Sequence, residues 1–123
     1  MNFISTDKAP AAIGPYSQAV SIGDMIYTSG QIPLDASGVL VEGDITEQTK
    51  QVLTNLSEVL KEGGSSLDKV VKTTIFLSDM ENFASVNKIY AEFFGNHKPA
   101  RSTVAVKTLP LQVGIEIEAI AKK

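Results

Sequence analysis

The sequence predicts an α+β domain in which two helices cover one face of a mixed β-sheet. Two stretches repeat apolar residues at helical spacing between clear start and stop signals, and several short runs alternate or are rich in β-branched residues. A Gly23-Asp24 pair joins two of these runs. With 123 residues, 43% of them hydrophobic, the chain fits one domain spanning residues 1–123 that buries about two-thirds of its unfolded surface.

The elements follow in order. Phe3-Ile4-Ser5 reads as a short edge strand, and Ser17 to Ile22 with Met25 to Ser29 reads as a β-hairpin around Gly23-Asp24. Asp44 followed by Glu47 is a capping-box pattern that starts a helix over Ile45 to Glu62. Its stripe is Ile45, Val52, Leu53, Leu56, Val59 and Leu60, and Gly63-Gly64 stops it. Ser66 opens a small turn before Val70 to Leu77, a strand expected in the centre of the sheet. A second helix is predicted over Glu81 to Phe94, burying Phe83, Val86, Ile89, Tyr90 and Phe93 and ending at Gly95. Ser102 to Val106 and Ile115 to Ala121 close the chain as a final hairpin. The sheet face away from the helices still carries apolar residues, which in so small a chain only another subunit can cover well.

Composition narrows the function. The net charge is −3 with a single His and no Cys, so disulfides and Cys-ligated zinc are excluded, and no metal site is expected. Lys and Arg are scattered, which argues against nucleic acid as a partner. The first residues lack a basic start and apolar signal core, and no apolar run approaches the roughly 20 residues a membrane helix needs. A cytoplasmic protein without membrane partners is the expectation.

Two phrases place charge inside apolar strand patterns: Pro99-Ala100-Arg101-Ser102 and Ile115-Glu116-Ile117-Glu118-Ala119. Together they read as one functional site. Arg101 is either a solvated surface arginine or a planar fork for a carboxylate. Period-two geometry puts Glu116 and Glu118 on one strand face, either as a polar exterior or with one serving as an acid/base. Gly14-Pro15-Tyr16 and Thr28-Ser29-Gly30-Gln31 are turn signatures, and a strand-end glycine also lets a ligand approach the backbone closely. His97 lies in a polar stretch and reads as solvated. No phosphate-cradling glycine loop or serine-nucleophile elbow is present.

Taken together, Ala11 to Gln18, Tyr27 to Pro33, Lys98 to Ser102 and Ile115 to Ala119, with Gln48-Thr49 and Val86-Asn87 on the helices, resemble the Rid (YjgF-type) family and its reactive-intermediate deaminases nearly end to end. The resemblance implies a chorismate-mutase-like fold, a homotrimer with a central barrel, and three clefts between subunits. It also implies cofactor-free hydrolysis of 2-imino acids, such as 2-iminobutanoate and 2-iminopropanoate, to 2-oxo acids and ammonia. Pyridoxal phosphate then belongs to the upstream dehydratases that release the enamines. By position, Arg101 matches the arginine that grips the substrate carboxylate and Glu116 the residue that positions or activates water. Tyr16, Ser29, Gly30 and Asn87 match cleft residues, the Gly30 N–H being a second carboxylate donor, and the Thr103 carbonyl matches an acceptor for the imine nitrogen.

Two departures accompany the match. Thr103 stands where the family often has Cys, so thiol chemistry does not carry over. Lys107-Thr108-Leu109-Pro110-Leu111-Gln112 keeps only the Leu-Pro of the family's usual segment, which bears on rim contacts and substrate range. The rival readings are a non-catalytic 2-oxo acid-binding regulator or chaperone and, less favoured by the acidic charge, a ribonuclease that inhibits translation.

Overall fold

A computed structural model describes residues 1–123. Six strands form one sheet: β1 (Asn2–Ile4), β2 (Ala19–Ile22), β3 (Met25–Thr28), β4 (Val70–Leu77), β5 (Ala100–Ala105) and β6 (Ile115–Lys122). Two helices, α1 (Ile45–Glu62) and α2 (Phe83–Phe94), pack on it. Neither helix is long and apolar enough to cross a membrane.

α1 begins and ends where its residues predict. The Asp44 carboxylate accepts from the Glu47 N–H at 3.1 Å, satisfying one of the donors a helix start leaves free. At the other end Gly64, at φ +86°, takes the left-handed step, while the Ser65 N–H donates to the Leu60 carbonyl at 2.8 Å and the Gly64 N–H to that of Lys61 at 3.0 Å. That reciprocal pair is a Schellman stop. α2 starts two residues later than its pattern suggests, because Met80–Asn82 form a separate 3-10 turn capped by the Asp79 carboxylate. Phe94 is buried in place of Phe93, which packs only partly against the core.

The strand order is β1-β2-β3-β6-β4-β5. β4 is interior, as its β-branched run indicates, but the closing hairpin does not form. β5 lies parallel to β4 on the outside, and β6 inserts antiparallel between β3 and β4. The cause is connectivity. A helix between β4 and β5 returns the chain to the end where β4 began, which makes that pair parallel. The preceding crossover through α1 leaves a gap between β3 and β4, and β6 fills it.

Insertion gives β6 the most enclosed place in the sheet. Ile115, Ile117, Ala119 and Ala121 face the helices and are buried, packing with Val52, Leu53, Leu56, Val59 and Leu60 of α1 and Ile26, Ile75 and Leu77 of the flanking strands. Register puts the alternate residues of every strand on the other face: Phe3, Val20, Tyr27, Ile120, Phe76 and Val104 lie there with Glu116 and Glu118. Phe3 is 73% exposed, Tyr27 41% and Val104 42%. No element of the chain covers this face.

Two stability effects follow. Leu56→Ala empties a fully buried site and lowers unfolding free energy by about 2–5 kcal/mol in denaturant titration. Gly64→Ala forces a Cβ into the left-handed region and costs about 1 kcal/mol by the same measurement.

Candidate active site

Arg101 sits on the outer strand β5. Its register partner on β4 is Thr73, a helix-side residue whose hydroxyl bonds the Tyr90 phenol at 2.7 Å. The guanidinium therefore lies on the helix side, with its carbon 4.9 Å from the Tyr90 ring centroid and 5.5 Å from that of Phe83. Both distances allow attraction between the cation and the ring faces. Its Nη1 donates to the Asn87 Oδ1 at 2.8 Å. Two aromatic rings and one amide thus orient the fork while the residue remains exposed. Beside it lies a groove of about 470 Å³ lined by Asn87, Tyr90, Phe94, Pro99 and Arg101, among others.

Phe83 and Tyr90, which the helical stripe assigns only to packing, also form an aromatic shelf under Arg101. Phe83, Asn87 and Tyr90 are spaced i, i+4, i+7 along α2, so they share one line of the helix surface. A single amide within an aromatic line is the signal that could have found it. Burial pushes the Tyr90 phenol pKa up, against the opposing effects of the Thr73 bond and the Arg101 charge. Its ring is consequently held by a neutral hydrogen bond beneath the cation.

Glu116 belongs to the opposite face. Its partner across β4 is Phe76. Burial raises its carboxyl pKa above the usual carboxylate value, and the like charge of Glu118 adds to the rise. Ser29-Gly30-Gln31 runs alongside: the Gln31 N–H donates to the Ile117 carbonyl at 2.8 Å and the Ile117 N–H returns to Gln31 at 3.1 Å. This bridge seats Gly30 against the Glu116 side chain, and the Gly30 N–H donates to no backbone carbonyl. The Ser29 hydroxyl donates to the Ser17 carbonyl at 2.6 Å, tying in the segment that carries Tyr16. Tyr16 itself is exposed, following Gly14 at φ +123°.

The sequence-predicted residues therefore fall into two groups. Arg101 and Asn87 form one, with Thr103 two residues further along the same face of β5. Glu116, Gly30 and Ser29 form the other, with Tyr16 attached through Ser17. Within one chain Arg101 and Glu116 do not make the single site expected from the two phrases, because their registers place them on opposite faces of the sheet. The Thr103 hydroxyl is buried without a hydrogen-bond partner.

Elsewhere, tertiary structure gathers lysines that look scattered in sequence. Lys69, Lys98, Lys122 and Lys123 line a groove of about 700 Å³ at one end of the sheet, with Asp68 as its acid. His97 borders it, but its Nε2 is engaged with the Val70 carbonyl at 2.7 Å. No group of three or more His, Cys, Asp or Glu side chains is placed to hold a metal ion.

Comparison with known proteins agrees with this architecture. A mouse (Mus musculus) protein named 2-iminobutanoate/2-iminopropanoate deaminase is 54% identical over 119 residues, covering 96% of this chain and 88% of the relative. The crystal structure of a Thermotoga maritima protein superposes with a TM-score of 0.98 at 56% identity, covering 100% of this chain and 98% of the other. The structure of Escherichia coli TdcF with bound serine gives a TM-score of 0.95 at 40% identity, over 100% and 99% of the two chains. Residues 6–123 match the family described as Endoribonuclease L-PSP. By that match and these identities, the chain belongs to the Endoribonuclease L-PSP family, the YjgF/Rid family of the sequence resemblance.

Proposed function

We propose that this protein hydrolyses small 2-imino acids, such as 2-iminobutanoate and 2-iminopropanoate, to 2-oxo acids and ammonia, in clefts between the subunits of a homotrimer. The presence of an aromatic-backed arginine on one sheet face and a half-buried glutamate of raised pKa on the other carries this reading. In such a cleft Arg101 of one subunit grips the substrate carboxylate through two parallel hydrogen bonds, and the unpaired Gly30 N–H of the neighbouring subunit donates to the same group. Glu116 of that neighbour orients a water against the imine carbon and accepts its proton as the C–O bond forms. The C=N pair of electrons moves to nitrogen, giving a tetrahedral carbinolamine. Return of that proton to nitrogen makes it an NH2 group, and transfer of the hydroxyl proton to the same nitrogen through Glu116 then lets the C–N bond break, with ammonia leaving and the carbonyl closing behind it. The Thr103 carbonyl accepts from the imine N–H, and Tyr16, Ser29 and Asn87 line the cleft.

A second subunit also answers two structural features. It covers the apolar face marked by Phe3, Tyr27 and Val104, and it brings an Arg101 toward a Glu116 that its own chain holds apart. The names of the mammalian relatives, mouse, goat and cattle, support the deaminase chemistry.

Two observations favour a second reading, RNA cleavage. The family's description is of an endoribonuclease, and the lysine-lined groove supplies local positive charge. The chain's single histidine, His97, bonds the Val70 carbonyl through Nε2, so that groove has no pair of imidazoles for acid/base work.

A threonine dehydratase that generates the imine in situ tests the proposal through 2-oxobutanoate release. Wild type accelerates release, Arg101→Ala abolishes the acceleration, and Glu116→Gln lowers kcat by about 10²-fold or more. A trimeric wild type that binds 2-oxobutanoate without accelerating release would instead indicate a binding protein. Sedimentation at micromolar concentration gives a trimer, and a monomer would remove the intersubunit cleft. In an RNA digestion assay, cleavage abolished by Lys98→Glu with Lys122→Glu, while deaminase activity persists, would establish the second reading.

A further inference from the structure

Gly30 is a glycine for a reason the backbone does not supply. Its φ lies outside the left-handed region, so an L side chain is conformationally acceptable there. A Cβ built at Gly30 would stand 2.7 Å from the Glu116 Cδ, 2.8 Å from its Oε1 and 2.9 Å from its Cγ. All three are inside van der Waals contact. The bare Cα thus occupies the space against which the carboxyl packs, and the Gln31–Ile117 bridge fixes that wall relative to β6.

We infer that the missing side chain of Gly30 is the seat that holds the Glu116 carboxyl in its half-buried position, making Gly30 a positioning residue for the water-activating glutamate. This inference rests on the deaminase reading for its catalytic consequence and on geometry alone for its structural one. It is separate from the Gly30 N–H as a substrate donor, because alanine keeps that N–H. Adding one methyl group displaces the carboxyl, and the obstructing atoms belong to a flexible side-chain end, so the fold itself has little to lose.

The electrostatic surroundings make the displacement measurable. On β6 the neighbouring charge on the same face is Glu118. β4 contributes uncharged Phe76 and Thr74, with Lys72 beyond them beside Glu118 and Ile120. β3 contributes Tyr27, residues 28–31 carry no charge, and in the proposed cleft Arg101 of the neighbouring subunit faces the carboxyl in wild type and variant alike. Burial is the first cause of the raised Glu116 pKa. A carboxyl pushed off its seat toward water loses that cause, and its pKa falls.

The test compares wild type with Gly30→Ala in the assembled protein, following the Glu116 side-chain carboxyl by carbon-13 NMR across pH. The expected result is a lower Glu116 pKa in Gly30→Ala with an unchanged thermal midpoint. In turnover, kcat falls about tenfold or more, a part of the 10²–10⁴ that a positioned acid/base contributes. The acid limb of the kcat/KM profile moves to lower pH, following the carboxylate. Glu116→Asp, which withdraws the carboxyl by one methylene, costs less in the Gly30→Ala background than in wild type, the signature of residues that share one contact. An unchanged Glu116 titration in a folded Gly30→Ala protein overturns the inference. If wild type shows no deaminase activity the function fails, yet the titration and the folded variant still decide whether Gly30 seats Glu116.

Discussion

The alternation of β6 is the constraint on which the remainder of the molecule depends. Because β6 lies between β3 and β4, its Ile115 and Ile117 are fully buried beneath the helices. Burial of those two side chains commits the residues between them to the other face. A one-residue slip would drive Glu116 and Glu118 into the apolar core and expose the isoleucines. Core packing therefore fixes the position of the acid as firmly as any contact the acid makes itself. The same register gives β4 its inward Thr73, Ile75 and Leu77, and Thr73 in turn anchors the Tyr90 ring beneath Arg101.

Function inherits a division from this arrangement. One sheet face is closed by α1 and α2 and holds an arginine at its outer edge. The other is largely apolar, open and holds a half-buried carboxyl whose pKa burial raises. Neither half is sufficient for hydrolysis of an imine, which needs both a carboxylate anchor and an oriented water. In the proposed trimer, assembly around the open face would meet both needs, apolar burial and completion of the site becoming the same event.

Much of this was legible because local chemistry decides it. Asp44, Glu47 and Gly64 mark the ends of α1, and the alternation through Ile115 to Glu118 sets which face carries the acids. The partnering of the last two strands was not legible: nothing in Ser102 to Val106 or Ile115 to Ala121 reveals that β4 lies between them, since this follows from how two helical crossovers share one sheet. That missed topology is also why Arg101 and Glu116 read as one local site. Phe83 and Tyr90 were visible as core residues, but their second use as a shelf depends on the arrival of Arg101 from β5. Lysines distant in sequence, Lys69, Lys98 and Lys122, meet only where three strand ends coincide.

Complementation between two defective chains tests the shared site most directly. Arg101→Ala and Glu116→Gln subunits, each reduced in activity by about 10²-fold or more as a homotrimer, are co-refolded at equal concentration and assayed for 2-oxobutanoate release. If each cleft takes its arginine from one subunit and its glutamate from the next, random mixing leaves about one cleft in four with both groups, and activity returns to roughly a quarter of wild type. Mixed trimers that remain inactive would contradict the account, because they would place both groups of each working site in a single chain.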